Sequence, residues 1–156
     1  MTKTRTGRCG CGQLSFTADD DPIIVHACHC TYCQRESGSV HGLNFVIEAE
    51  KVELTGEVET IDTPSHSGKG QWILRCPTCK VAVSSHYQSA REAMHFLRCG
   101  AFDDKSGIRP DAHIFTAEKF DYLHLDEDIP AFEHFYDPRE FWTDEQRARW
   151  KKAMGK

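Results

Sequence analysis

Cysteine spacing constrains this chain more than any other feature. Seven of its eight cysteines fall in three tight groups, Cys9-x-Cys11, Cys28-x-Cys30-x-x-Cys33 and Cys76-x-x-Cys79, and Cys99 stands alone. Two cysteines one residue apart would bridge only through a short strained ring, so the spacing argues against disulfides. Zinc asks for a different arrangement, with thiolates about 2.3 Å from the metal at the corners of a tetrahedron. A CxC or CxxC turn supplies two sulfurs from one loop, and its backbone N–H groups can point at them and steady their charge. A redox role for Cys76 and Cys79 alone would leave the other groups unexplained. Metal ligation accounts for all seven.

The two doublets, Cys9/Cys11 and Cys76/Cys79, sum to four ligands, which suits a closed structural site joining distant parts of the chain. The triplet Cys28/Cys30/Cys33 comes from one loop and leaves a coordination position open to water or substrate. Three thiolates on a divalent cation leave a net charge of about −1, a soft centre better matched to a fourth sulfur than to hydroxide. A site with three ligands is also expected to hold its metal less tightly, so two zinc ions per chain are expected with the second partly filled. Cys99, within the apolar stretch Met94 to Cys99, reads as a small core residue.

The remaining composition narrows the class. At 156 residues, with 39% hydrophobic and 28% charged side chains, the chain is expected to fold as a soluble domain with its own core. No apolar run reaches the ~20 residues that span a bilayer, and the basic start from Met1 to Arg8 is followed by no apolar stretch, so a cytoplasmic location is expected. A net charge of −5 matches a phosphate backbone poorly, so neither nucleic acid nor membrane is an expected partner. The basic group Arg147, Arg149, Lys151 and Lys152 reads as the solvated face of a helix.

Short β-favouring runs fill the chain at 14–18, 23–27, 42–47, 52–54, 58–61, 71–75, 81–85, 94–98, 113–116 and 120–124. Gly, Pro and Asp clusters punctuate them, and Leu14/Phe16 and Phe120/Tyr122/His124 alternate with polar neighbours. A mostly β, antiparallel domain is predicted. Near the end, Thr143 and Gln146 have capping-box spacing, Trp142 is placed to staple toward Arg147, and residues 144–154 read as a helix docking through Trp150 and Met154. The expected organisation is a zinc-binding β domain over 1–132 with an extension over 133–156, its short helix packed on the same domain.

The string CHCTYCQRESGS at 28–39 closely resembles the signature of the glutathione-dependent formaldehyde-activating enzyme family, which also includes centromere protein V. GCGQLSF at 10–16, RCPTC at 75–79, GAFDD at 100–104 and RPDAHIF at 109–115 agree with it, so the likeness runs from about Arg8 to Phe132. It implies a tent-like β fold with a structural zinc on Cys9, Cys11, Cys76 and Cys79 and a catalytic zinc on Cys28, Cys30 and Cys33. Pro77 and Lys80 stand where the family usually has glycines, which implies a different local turn.

The resemblance implies carbon–sulfur lyase chemistry, in which glutathione or another small thiol adds to an aldehyde such as formaldehyde. In that reading zinc ionises and holds the thiol. His29 and His41 are candidate proton donors, and Arg35 and Ser37 candidate carboxylate binders. The competing reading is a non-catalytic zinc module for a protein partner, its triplet closed by Cys99 or, less well, by His29 or His66. The aromatics between Phe132 and Trp142 would suit a homodimer contact or self-packing.

Overall fold

The computed structural model describes residues 3–156. A small antiparallel sheet is built from β1 (Thr4–Arg8), β2 (Ser15–Asp19) and β5 (Val52–Thr55). The larger sheet has seven strands in the order β10 (Ala112–Ile114), β3 (Ile24–Cys28), β4 (Gly42–Glu48), β9 (Met94–Arg98), β8 (Ala82–Tyr87), β7 (Gln71–Arg75) and β6 (Glu59–Thr63). The mostly β expectation holds, and its strands lie close to nine of the ten runs read from the sequence.

Every neighbouring pair in the large sheet is antiparallel except one. β10 runs parallel to β3, pairing Ala112 with His26, His113 with Ala27 and Ile114 with Cys28. A parallel pair needs a long crossover, and here the chain between the two strands builds most of the domain. The sheet is therefore mixed, not wholly antiparallel as expected. The predicted strand at 120–124 does not form. The free edge of β10 is taken instead by a later segment, where His113 donates its N–H to Pro130 O (2.8 Å) and accepts from Phe132 N (2.9 Å). Phe120 and Tyr122 are left exposed.

The large sheet separates two apolar layers, and period-2 alternation decides which residue joins which. Val25, Phe45, Ile47 and Leu97 point toward the small sheet and pack with Leu14, Phe16 and Phe102. Ile24, Val46 and Met94 point to the opposite face and pack with Ile114, Tyr136 and Trp142. β3 is covered on both faces and reads as an unbroken buried run. The small sheet can approach this closely because residue 7 is glycine; a Cβ there would lie 2.3 Å from the Phe16 ring and 2.7 Å from Ala101 O.

Three α-helices complete the fold. α1 (Thr31–Ser37) was not foreseen, because its sequence has no apolar stripe and buries no residue fully. α2 (Pro138–Phe141) starts on an Asp137 cap with Pro at its first position. α3 (Asp144–Ala153) carries the predicted capping box, Thr143 Oγ1 accepting from Gln146 N and Gln146 Oε1 accepting from Thr143 N. Trp142 packs on Trp150, ring centroids 5.3 Å apart, and its carbonyl accepts from Arg147. Arg149 clamps α3 to β4 through a two-nitrogen contact with the buried Glu48 carboxylate, 2.7 Å for each bond.

Candidate metal centres

The loop from β1 to β2 carries Cys9 and Cys11, and the turn from β7 to β8 carries Cys76 and Cys79. That turn closes through Cys76 N to Val81 O (3.1 Å) and Lys80 N to Cys76 O (2.9 Å). Lys80 takes φ 64°, the left-handed conformation a glycine adopts readily. The turn thus keeps a glycine-type backbone despite the lysine. All four sulfurs lie within 4.8 Å of one another. Cys9 and Cys11 Sγ are 3.6 Å apart, and Cys11 and Cys76 Sγ are 3.7 Å apart. A tetrahedron of thiolates on zinc has edges of about 3.8 Å, so the donor set fits that ion. Leu14 N–H points at Cys9 Sγ (3.3 Å), and a backbone hydrogen bond from Val81 brings the Cys79 thiol down to about 6. Both effects prepare thiolates for a cation.

The second group sits where β3 runs into α1. Cys28 ends the strand, Cys30 is the helix cap and Cys33 lies in the first turn, so the triplet is held by a strand end and a helix start, not by one loop. Cys30 Sγ accepts from Cys33 N (3.4 Å), filling the place of an N-cap oxygen. The three sulfurs lie within 4.8 Å of one another. Hydrogen bonds from Cys28 and Cys33 pull the Cys30 thiol far down, while Cys28, bonded to Cys30 and Cys33 and buried, is pushed far up. The first negative charge comes easily and the next is opposed by its neighbours, a conflict that a divalent cation relieves. Among the described residues no other Cys, His, Asp or Glu joins this group.

Two hollows meet at the triplet. A polar cleft of about 1180 Å³ runs from Cys9 and Cys79 to Cys33 and is lined by His41, Arg75 and Arg98. A second cavity of about 550 Å³ is lined by Cys28, Cys30 and Cys33 together with mostly apolar side chains. Cys33, Gln71 and Tyr87 line both. Gly42 begins β4 close behind Cys33; a Cβ there would lie 3.3 Å from Cys33 Cβ and crowd it. Burial, with Cys33 nearby, pushes the Tyr87 phenol above its ordinary range, so it keeps its proton.

The other residues singled out in the sequence divide. His41 lines the polar cleft. His29 is buried behind it, with ring centroids 5.1 Å apart, and its Nε2 meets His113 Nδ1 at 2.9 Å. His66 lines the apolar cavity but pairs with Glu118 (3.2 Å) and lies against Phe115. Ser37 faces the cleft with its hydroxyl donated to Cys33 O (2.7 Å). Arg35 faces a shallow depression beside Phe120 and Tyr122, away from the cleft. Cys99 packs in the core toward the small sheet, burial pushing its thiol up to about 12, and does not join the triplet. Tyr87, Gln71 and Arg98 escaped notice because they lie on β7, β8 and β9, where only sheet pairing reveals that they face α1.

Fold and sites together define a mostly β protein with two cysteine clusters able to hold zinc. The chain belongs to the glutathione-dependent formaldehyde-activating enzyme family, whose model matches residues 4–118. Residues 119–156 lie beyond that match. No curated protein matches significantly. Among solved structures, a crystal structure of a Rhodobacter sphaeroides protein is similar, at 13% identity and TM-score 0.49, covering 67% of this chain and 91% of that one.

Proposed function

We propose that this protein joins a small thiol such as glutathione to an aldehyde and catalyses the reverse carbon–sulfur cleavage. The observation that carries the reading is the triplet of thiols with no fourth protein ligand, facing two hollows. Cys9, Cys11, Cys76 and Cys79 would hold a structural zinc, and Cys28, Cys30 and Cys33 a catalytic one. Zinc at the triplet would supply the positive charge that keeps a nearby thiol ionised at neutral pH.

The chain's own groups do the rest. Arg98 has no carboxylate partner among the described residues; its guanidinium donates to Asn44 Oδ1 (2.6 Å) and Ser85 Oγ (2.7 Å), which fix it at the cleft wall beside Cys33. It is placed to hold an anionic thiol substrate. Tyr87 keeps a proton on its Oη at the junction of both hollows, where it can donate to the aldehyde oxygen as negative charge grows there. His41, its pKa lowered by burial and by His113 nearby, can exchange a proton with solvent through the cleft. The region 133–156 folds as part of the same domain. All eight cysteines are free, which suits a reducing cytoplasm.

The competing reading, a closed zinc module for a protein partner, requires a fourth side chain at the triplet, and Cys99 does not fill that role. Cobalt substitution tests the choice. Millimolar glutathione should shift the thiolate-to-cobalt charge-transfer bands, and a spectrum that does not move would sink the enzyme reading. Y87F should lower kcat by about 10²-fold, and R98M should raise KM for glutathione.

A further inference from the structure

The cavity behind the triplet is far larger and far less polar than formaldehyde requires. Its volume of about 550 Å³ lies within the range of roughly 300–1,000 Å³ that holds drug-sized ligands, whereas one water takes up only about 30 Å³. Val46, Phe96, Ile114, Phe115, Trp142 and Trp150 line it. Several of the polar atoms nearby are already engaged, although Gln71 Oε1 is buried without a partner among the described residues. Trp142 Nε1 donates to Tyr136 Oη (2.6 Å), which also meets His26 Nε2 (2.6 Å), and Asn44 Oδ1 accepts from Arg98. What faces the hollow is mostly hydrocarbon and aromatic surface, with sulfur at one end and a few polar groups such as Gln71 and Tyr87.

The roof of this cavity comes from beyond the family match. Phe135, Trp142 and Trp150 all follow residue 118, and the Arg149–Glu48 clamp holds them in place. Part of the apolar cavity is therefore built from residues outside the family match. The polar cleft, with Arg98 and His41, also reaches Cys33. Two dissimilar substrates can thus reach one triplet through two hollows.

We infer that the electrophile of this enzyme is an aldehyde bearing a long alkyl or aromatic body, seated in the cavity roofed by residues 135–151. The inference rests on the thiol–aldehyde reading above. In the reaction, the thiol sulfur forms a bond to the carbonyl carbon and the C=O π pair moves onto oxygen. The proton lost by the thiol ends on that oxygen, and nothing is oxidised or reduced.

Straight-chain alcohols, which cannot react, isolate the cavity from the chemistry. Calorimetric titration of the zinc-loaded protein should show one molecule of 1-octanol bound per chain, with affinity rising about fourfold per methylene from ethanol upward. S89W, at the exposed rim of the cavity, should lose the 1-octanol signal while its thermal melt stays in place. With glutathione as thiol, kcat/KM should climb along the series from formaldehyde to octanal. Absence of alcohol binding, with formaldehyde turned over as well as octanal, overturns the inference and leaves the thiol–aldehyde reading intact. Alcohol binding with no aldehyde consumed overturns that reading instead, and with it the claim that an aldehyde is the occupant.

Discussion

The two cysteine clusters gather similar ligands in opposite ways. The four-cysteine cluster lies near the surface, with Cys11 exposed, and draws on two turns 65 residues apart that belong to different sheets. The three-cysteine cluster is more deeply covered, with Cys28 and Cys30 buried, and comes from six consecutive positions between a strand and a helix. The first joins two turns that otherwise meet through little more than the Thr78 Oγ1 hydrogen bond to Gln13 Oε1 (2.8 Å) and apolar contact among the described residues. The second is built on elements that hydrogen bonds and packing already position, so it can leave a corner free. If the proposed roles hold, sequence separation of the ligands, more than their number, is what sets a staple apart from a workplace.

The largest test of this contrast is removal of one ligand from each cluster. C76S should lose the four-thiol site, and since structural zinc contributes on the order of 10 kcal/mol against a whole-domain margin of about 5–15 kcal/mol, the chain should be mostly unfolded. C28S should keep its far-ultraviolet dichroism and one zinc per chain while losing thiol turnover. Equal unfolding of both variants would break the comparison.

R149A comes next. It leaves the Glu48 carboxylate, only 7% exposed on its side chain, with Lys51 at 3.6 Å as its remaining cation, and should cost about 2 kcal/mol in urea denaturation. Because the clamp holds the roof over the triplet, the loss should be accompanied by easier access of thiol reagents to Cys28 and Cys30, with Cys11 and Cys79 unchanged.

A pH effect of smaller size should fall on both clusters alike. His95 on β9, in the sheet both share, meets Ser84 Oγ at 2.9 Å, and burial, with His86 beside it, lowers its pKa to about 4 from 6.5. Below pH 6.5 the unfolded chain takes up a proton that the folded chain refuses. Stability from this group is therefore complete above pH 6.5 and drains as pH falls toward 4, by on the order of 2 kcal/mol. H95Q should flatten that part of the curve relative to the parent protein. The smallest expected effect is that of T143A, which removes the α3 cap and should cost about 1 kcal/mol; hydrogen exchange should rise in α3 alone.

The division of seven cysteines into four and three was legible in the sequence because short CxC and CxxC spacings leave few other uses for the sulfurs. The strands were legible where apolar and polar residues alternate, as in β2, β3 and β4. α1 was not, since Thr31–Ser37 has no apolar periodicity and owes its start to Cys30 sulfur acting as the cap. β1 was missed because its polar residues are held by backbone pairing with β2. The run at 120–124 has a strand's alternation, but the edge of β10 is taken by residues 130–132 instead. Neither the parallel seat of β10 nor the two hollows could be read, because both depend on which distant segments meet. The same limit hid Tyr87 and Arg98.

The wide gap between Cys11 and Cys76 also bears on how the protein is made. Synthesis proceeds from the N-terminus, so five thiols leave the ribosome before the last pair exists. Cys9 and Cys11 then have only the nearby triplet for company, and a metal arriving early would find the wrong four sulfurs within reach. Correct loading has to wait for β7 and its turn, or be undone and repeated once they appear. Freshly made chains in zinc-rich medium should accordingly pass through a misligated form that a mild chelator rescues.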